Sequence, residues 1–289
     1  MRETIQRALS HVNDTSPITS MRSLSGGDIN QAFYVETLNE QYFIKGNQHI
    51  SSHFFRVEAE GLNLIKESDT LSVPNVHYYD EPEDGSPAVI VMDWITQTPS
   101  PKSEEQLGRL LAEMHATHAN QFGFHEETFV GTLPQPNGWF DNWLVYYRDQ
   151  RLKNQFERAV QQNKMPASRH RKMETLLTYL ERWIPARPSP SLLHGDLWGG
   201  NWMSGPEGRP YVIDPSILYG DRAFELAFTE LFGGFPKTFY SAYEEVQPLP
   251  DYYHDTKPLY QLFYLLVHLN IFGESYGPSV DRVLDRYVT

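Results

Sequence analysis

The chain has no cysteine in its 289 residues. Disulfide frameworks, thiolate nucleophiles and cysteine-ligated metals are therefore excluded. It also has no apolar run approaching a bilayer span, and its first 25 residues carry no apolar signal core. A soluble cytoplasmic protein is expected. Basic residues are few: 24 Lys and Arg stand against 37 Asp and Glu, a formal charge of −13, with no long basic run to offset it. A nucleic-acid partner is not expected. No internal repeat or low-complexity tract interrupts the chain. What is present is a rich apolar complement, 40% hydrophobic and 13% aromatic. That composition suits a large packed core, either one large domain or two medium ones.

The periodicity of the chain changes along its length. Ile5, Ala8, Leu9 and Val12 fall at helical spacing. From Met21 to Lys45 the pattern is strand-rich, with Ser25-Gly26-Gly27-Asp28 as a turn. Strands are expected at 32–37 and 41–45, flanking Asn39-Glu40. A helix follows at about 52–67, then strands at 74–79 and 88–92. After Trp94 the pattern becomes helical. Pro99 and Pro101 precede Ser103-Glu104-Glu105-Gln106, a capping box, and Leu107, Leu110, Leu111 and Met114 form one stripe. Further helices are expected at about 140–160, 169–183, 221–232, 236–246 and 258–272. The expected architecture is α+β. A small antiparallel-sheet lobe with one key helix spans 1–91, a short crossing spans 92–95, and a mostly helical lobe spans 96–289. The cleft between the lobes is the natural place for a ligand.

His194-Gly195-Asp196-Leu197-Trp198-Gly199-Gly200-Asn201 is the most informative stretch. It places an aspartate five residues before an asparagine, and a second aspartate, Asp214, follows 13 residues later behind Tyr211-Val212-Ile213. A protein-kinase-like phosphotransferase needs this set. One carboxylate, Asp196, orients the attacking hydroxyl and takes its proton. An amide oxygen and a second carboxylate, Asn201 and Asp214, hold Mg²⁺ against ATP phosphates. His194 fits a scaffold role, its ring bonding nearby backbone.

Lys45 ends the alternating strand Gln41-Tyr42-Phe43-Ile44-Lys45, where such a site places the lysine for the α- and β-phosphates. Its partner acid follows from helix periodicity. Phe54, Glu58, Leu62 and Ile65 share one face, whereas Glu60 lies on the other, so Glu58 is expected to meet Lys45. Gly26 and Gly27 permit close approach of backbone N–H groups to phosphate oxygens. Met92, Asp93 and Trp94 form the crossing whose backbone can bond an adenine edge. Trp198 offers a flat face for a sugar or an alkylamine, or else packs in the core. His115 and His118, three residues apart without a third ligand, fit a structural role better than a metal pair.

Taken together, these motifs resemble the fructosamine kinase family, the ketosamine 3-kinases, within the aminoglycoside-phosphotransferase and choline-kinase-like group. The resemblance runs through Leu193 to Asn201, Gly131-Thr132, Gln135 to Trp139, Trp143 to Leu152, and Tyr260 to Gly273. It implies a two-lobed kinase fold, ATP with Mg²⁺, and transfer to the 3-hydroxyl of a ketosamine in deglycation repair. It implies Asp196 as base, Asn201 and Asp214 as metal ligands, Lys45 with Glu58 as the phosphate-positioning pair, and Trp198 against the sugar. A monomer acting on small-molecule or protein-linked ketosamines is expected. The chain departs from the pattern at Asp28, where many relatives have cysteine, and at Tyr264 and Val267, where His and Asn are expected. Asp221, Glu225 and Glu274 are the acids considered for the substrate amine. Two other readings compete: an aminoglycoside- or choline-type phosphotransferase, and an inactive nucleotide-binding regulator.

Overall fold

A computed structural model describes residues 1–24, 30–83 and 85–288. The chain opens with α1 (Arg2–His11) and then forms β1 (Ile18–Leu24), β2 (Gln31–Thr37) and β3 (Gln41–Asn47). Next come α2 (Phe54–Glu67), β4 (Val76–Tyr79) and β5 (Ala88–Asp93). The five strands make one antiparallel sheet in the order β1-β2-β3-β5-β4.

Strand alternation decides what each face of this sheet carries. Tyr42 and Ile44 join Phe33, Val35, Val89 and Val91 in an apolar layer with Ile5, Ala8 and Leu9 of α1. The intervening positions face the other way. Ala88, Ile90 and Met92, with Phe43, join the core that includes Phe55, Leu62 and Ile65 of α2. Lys45 sits opposite Ile90 in register, so its side chain is delivered to the α2 side of the sheet. The amphipathic helix and alternating strands read from the sequence are thus present. The β1 segment begins three residues earlier than Met21, at Ile18.

The second lobe is mostly helical: α3 (Ser103–Met114), α4 (Trp143–Tyr146), α5 (Asn154–Gln161) and α6 (Ala167–Thr178) come first. Then follow α7 (Arg222–Thr229), α8 (Lys237–Val246), α9 (Tyr253–Phe272) and α10 (Gly277–Tyr287). A π-helical turn, Tyr147–Lys153, joins α4 to α5, so the helix expected at about 140–160 is three pieces. The helix expected at 258–272 begins earlier, at Tyr253, and tolerates Pro258 inside it. A proline forfeits one backbone bond but does not end a helix whose flanks are buried.

Short strands also occur in the second lobe; two of them, with their loops, are expected from the sequence at 194–214, and the others are not. β6 (Phe122–Phe124), β7 (Thr128–Val130), β8 (Leu133–Gln135) and β9 (Gly138–Phe140) precede α4. β10 (Ser191–Leu193), β11 (Trp202–Ser204), β12 (Pro210–Val212) and β13 (Leu218–Gly220) surround the signature loop. Three residues are too few to display an alternation. The helix α10 was also unforeseen, although Pro278 in its first turn and Val280, Val283, Leu284 and Tyr287 carry a helical signal. α2 is tied to the second lobe by Arg56, which grips Glu126 in the β6–β7 connection. Phe54 of α2 also packs on Phe129 of β7 at 4.8 Å between ring centres.

Candidate active site

The signature loop runs from β10 to β11, and its backbone is held by side chains. His194 is wholly buried. Its Nε2–H donates to the Ile213 carbonyl at 2.8 Å, and its Nδ1 accepts the Asp196 N–H at 3.3 Å. Burial keeps the imidazole neutral by lowering its proton affinity, against the pull of Glu225 and the Ile213 bond. One ring therefore joins the residue before Asp214 to Asp196 itself, the scaffold role read from the sequence. Asp214 follows β12 with φ of 59°, a left-handed conformation that non-glycine residues seldom adopt.

Lys45 is 4% exposed and lies between two acids. Its Nζ donates to Glu58 Oε1 at 2.6 Å and also to Asp214 Oδ1. Burial alone would discharge the ammonium, but the two carboxylates hold its pKa above the usual range. Burial raises the Glu58 carboxyl, and Asp214 adds to the effect against the opposing pull of Lys45. Glu60, on the other helix face, reaches Arg56 at 4.0 Å.

Asn201 lies beside Asp196. Its Nδ2 donates to the Asp196 carbonyl at 2.8 Å and to Asp196 Oδ2 at 3.1 Å. The amide nitrogen being so engaged, Oδ1 is the atom left for a ligand. Asp214 keeps its side chain 38% exposed, with Oδ1 on Lys45. A hard amide oxygen and a carboxylate oxygen in one cleft are the donors Mg²⁺ accepts, and both are present here. The Asp196 carboxyl is pushed well above its ordinary pKa, by burial first and by the Asp214 charge second.

A cleft of about 840 Å³ joins these groups. Lys45, Glu58, Asp196, Asn201 and Asp214 all line it. Trp198, 42% exposed, lines it too, as do Phe228, Phe232, His268, Phe272 and Tyr276. The indole of Trp198 rests over Gly200, where an added β-carbon would come within 2.5 Å of the ring. Thr128 to Gly131 of the β7–β8 hairpin close the same cleft from another side. Apart from Trp198, these residues are not read from the sequence as site residues. α9 is buried nearly all round, so periodicity does not distinguish its cleft-facing residues.

Not every expected residue arrives at the cleft. Met92 and Asp93 end β5 and Trp94 follows it; none of the three lines this cleft, although Met92 pairs in register with Phe43, which does. The Asp93 N–H is used by Asn75 O at 3.0 Å, and the Trp94 N–H points to Gln41 O at 3.4 Å. The Asp93 carboxylate is taken by Asn75 and His77. The N–H groups of Asp93 and Trp94 are therefore already engaged and are not available to an adenine edge. Gly26 and Gly27, with Asp28, lie outside the described residues.

The three acids considered for the substrate amine are all engaged elsewhere. Asp221 caps α7 through the Ala223 N–H and takes the Tyr260 hydroxyl at 2.6 Å. Glu274 pairs with Arg169 at 2.8 Å. Glu225 is fully buried, bonded to His115 at 2.8 Å and to the Gly195 N–H at 2.6 Å. That last pairing also gives His115 the structural role expected for it.

A lysine–glutamate pair, an Asp–Asn loop and a later aspartate at the lobe interface define a kinase-like phosphotransferase. The fructosamine kinase family model matches residues 1–289, and the chain belongs to that family. A probable ketoamine kinase of Enterococcus faecium is 37% identical over 266 residues, 91% of this chain and 93% of that protein. The chloroplastic protein-ribulosamine 3-kinase of Arabidopsis thaliana is 34% identical over 277 residues, covering 94% and 83%. A crystal structure of a putative fructosamine-3-kinase from Haemophilus somnus superposes with a TM-score of 0.89 at 22% identity, over 100% of this chain and 98% of that one. That likeness establishes the shared fold.

Proposed function

We propose that this chain is an ATP-dependent kinase that phosphorylates the 3-hydroxyl of ketosamines, in the repair of glycated amines. The observation that carries the reading is the adjacency of Asp196 and Trp198 in one cleft with the Lys45–Glu58 pair. A ribulosamine-acting relative at 34% identity supports the acceptor class. In this reading the protein acts in the cytoplasm as a monomer. Among the described residues, no helix is long and apolar enough to cross a membrane.

Asp196 orients the 3-hydroxyl and accepts its proton as the phosphoryl group arrives, its carboxylate steadied for that task by the Asn201 amide at Oδ2. Lys45, fixed by Glu58, sets the nucleotide phosphates. Asn201 Oδ1 and the Asp214 carboxylate hold Mg²⁺, whose charge, when it is bound, offsets that of the phosphate oxygens. Asn201 also steadies Asp196 through two hydrogen bonds. Trp198 gives the sugar a flat face. The aromatic residues beyond it receive the cationic amine by cation–π contact, because the candidate acids of this lobe are otherwise bonded.

The test is an ADP-release assay with ribulose-, erythrulose- and fructose-derived lysines beside aminoglycosides and choline. Turnover of at least one ketosamine above the other acceptors is expected. Faster turnover of an aminoglycoside or of choline would overturn the acceptor assignment. No turnover of any acceptor would favour a nucleotide-binding regulator.

A further inference from the structure

The two peptide planes around Gly195 are each held at both ends. In the plane before it, the His194 carbonyl accepts the Ser216 N–H at 2.8 Å, and the Gly195 N–H donates to Glu225 Oε1 at 2.6 Å. In the plane after it, the Gly195 carbonyl accepts the Tyr264 hydroxyl at 2.8 Å, and the Asp196 N–H points to His194 Nδ1 at 3.3 Å. The second plane carries the Cα of Asp196. Gly195 itself has φ of +83°, and a β-carbon there would lie 1.9 Å from the Ser216 carbonyl oxygen. Glycine is required, and glycine left untethered is the most freely rotating residue.

The tethers are unusually well supported. Glu225 Oε2 also takes the His194 N–H at 3.1 Å and His115 Nε2–H at 2.8 Å. The Tyr243 hydroxyl donates to the other ring nitrogen of His115 at 2.7 Å. Burial alone would raise the Glu225 carboxyl; its donors, His115 foremost, hold it below the usual range instead. Tyr264 is wholly buried. Its ring stacks on Phe228 at 3.6 Å and on Phe224 at 5.1 Å, which fixes where its hydroxyl points. A phenylalanine would fill the same stack, so packing alone does not account for the hydroxyl.

We infer that Tyr264, acting with Glu225, is a positioning residue that sets the placement of Asp196 by clamping the Gly195 peptide. The inference rests on the reading of Asp196 as the base. Neither side chain touches substrate; both act through two backbone groups.

The test uses Tyr264→Phe in the full chain, with Leu266→Ala, a wholly buried position of the same helix that does not line the cleft, as a packing control. Three quantities are measured: kcat on ribulose-derived lysine with ATP and Mg²⁺, the Kd for ATP, and amide hydrogen exchange over 193–198. In Tyr264→Phe, kcat falls about tenfold or more, since one lost hydrogen bond and a displaced base act together. ATP affinity is unchanged, and exchange quickens at Gly195 and Asp196 only. Leu266→Ala lowers the unfolding midpoint and keeps kcat. Equal losses of kcat in both variants, or a parallel loss of ATP affinity, would overturn the inference. Were the unmodified chain inactive on every ketosamine, the functional reading would fail separately. Exchange would still decide the clamp: unchanged exchange in Tyr264→Phe rejects it, and local quickening upholds it.

Discussion

Lys45→Met tests the charge balance on which the cleft depends. Lys45 is the cation between Glu58, at 2.6 Å, and Asp214. Removing it leaves two carboxylates facing each other. The Asp214 side chain is 38% exposed and can hydrate, whereas that of Glu58 is 11% exposed and cannot do so as well. Breaking a buried pair from one side costs about 3–5 kcal/mol, a large share of the roughly 5–15 kcal/mol that stabilises a typical domain. Glu58 can escape part of that cost by taking a proton, because burial already raises its pKa. A carboxyl raised on folding gives stability that is present below its unfolded pKa and lost as pH rises through its folded pKa. The variant is therefore destabilised most at pH 8 and recovers toward pH 5, which urea unfolding followed by tryptophan fluorescence measures. Lys45→Met/Glu58→Gln removes the stranded charge. It regains most of the stability at pH 8 while kcat stays down by about 10²–10³-fold, the usual effect of losing a preorganised donor to a developing charge. Equal stability of the single and double variants at pH 8 would refute the reasoning, as would a single variant whose loss ignores pH.

Asp196→Asn lowers kcat by about 10²–10⁴-fold, the range for acid–base groups, while ATP binding by calorimetry is retained. Near-normal turnover would remove Asp196 from its role. Gly200→Ala puts a β-carbon 2.5 Å from the Trp198 ring, whereas one at Gly199 meets nothing within 4 Å. The first raises KM for the acceptor without raising KM for ATP, and Gly199→Ala leaves both unchanged; equal effects would assign Trp198 to packing only. Chelation by EDTA weakens ATP binding, because Asp196 and Asp214 otherwise face the phosphates with Lys45 as the nearby cation. Equal ATP affinity with and without Mg²⁺ would exclude the ligand pair Asn201 and Asp214.

The local patterns were legible because each is a short-range rule. Alternation in β3 separates Lys45 from Ile44, and a helical repeat in α2 separates Glu58 from Glu60. The spacing of Asp196, Asn201 and Asp214 has the same character, since one loop and one hairpin bring them together. What escaped the sequence depends on distant partners. Glu225 meets His115 from 110 positions away, and Arg169 meets Glu274 from 105. Nothing near Glu225 in sequence announces that its carboxylate is spent on a loop. The aromatic end of the cleft escaped for a related reason. Phe232, His268 and Phe272 sit in segments whose apolar character predicts burial, not which cavity they border. The strands from 122 to 140 are too short for a repeat, and α10 carried a readable signal that ends the chain beyond Gly273.

The departure at Tyr264 acquires a physical meaning in this setting. Histidine and tyrosine can each present a donor, but their reach differs, and here the donor meets a carbonyl from within an aromatic stack. The stack is built from Phe224 and Phe228 of α7, the helix that also supplies Glu225. One helix thus contributes both the acid that takes the Gly195 N–H and the rings that aim the hydroxyl at the Gly195 carbonyl. Phe228 and His268 also line the cleft, and His268 Nδ1–H donates to the Tyr264 carbonyl at 2.8 Å. The parts that hold the Gly195 peptide and parts of the cleft lining are therefore continuous through α7 and α9. A substitution at Phe228 is therefore expected to act on the cleft lining and on the Tyr264 stack together, because one ring serves both.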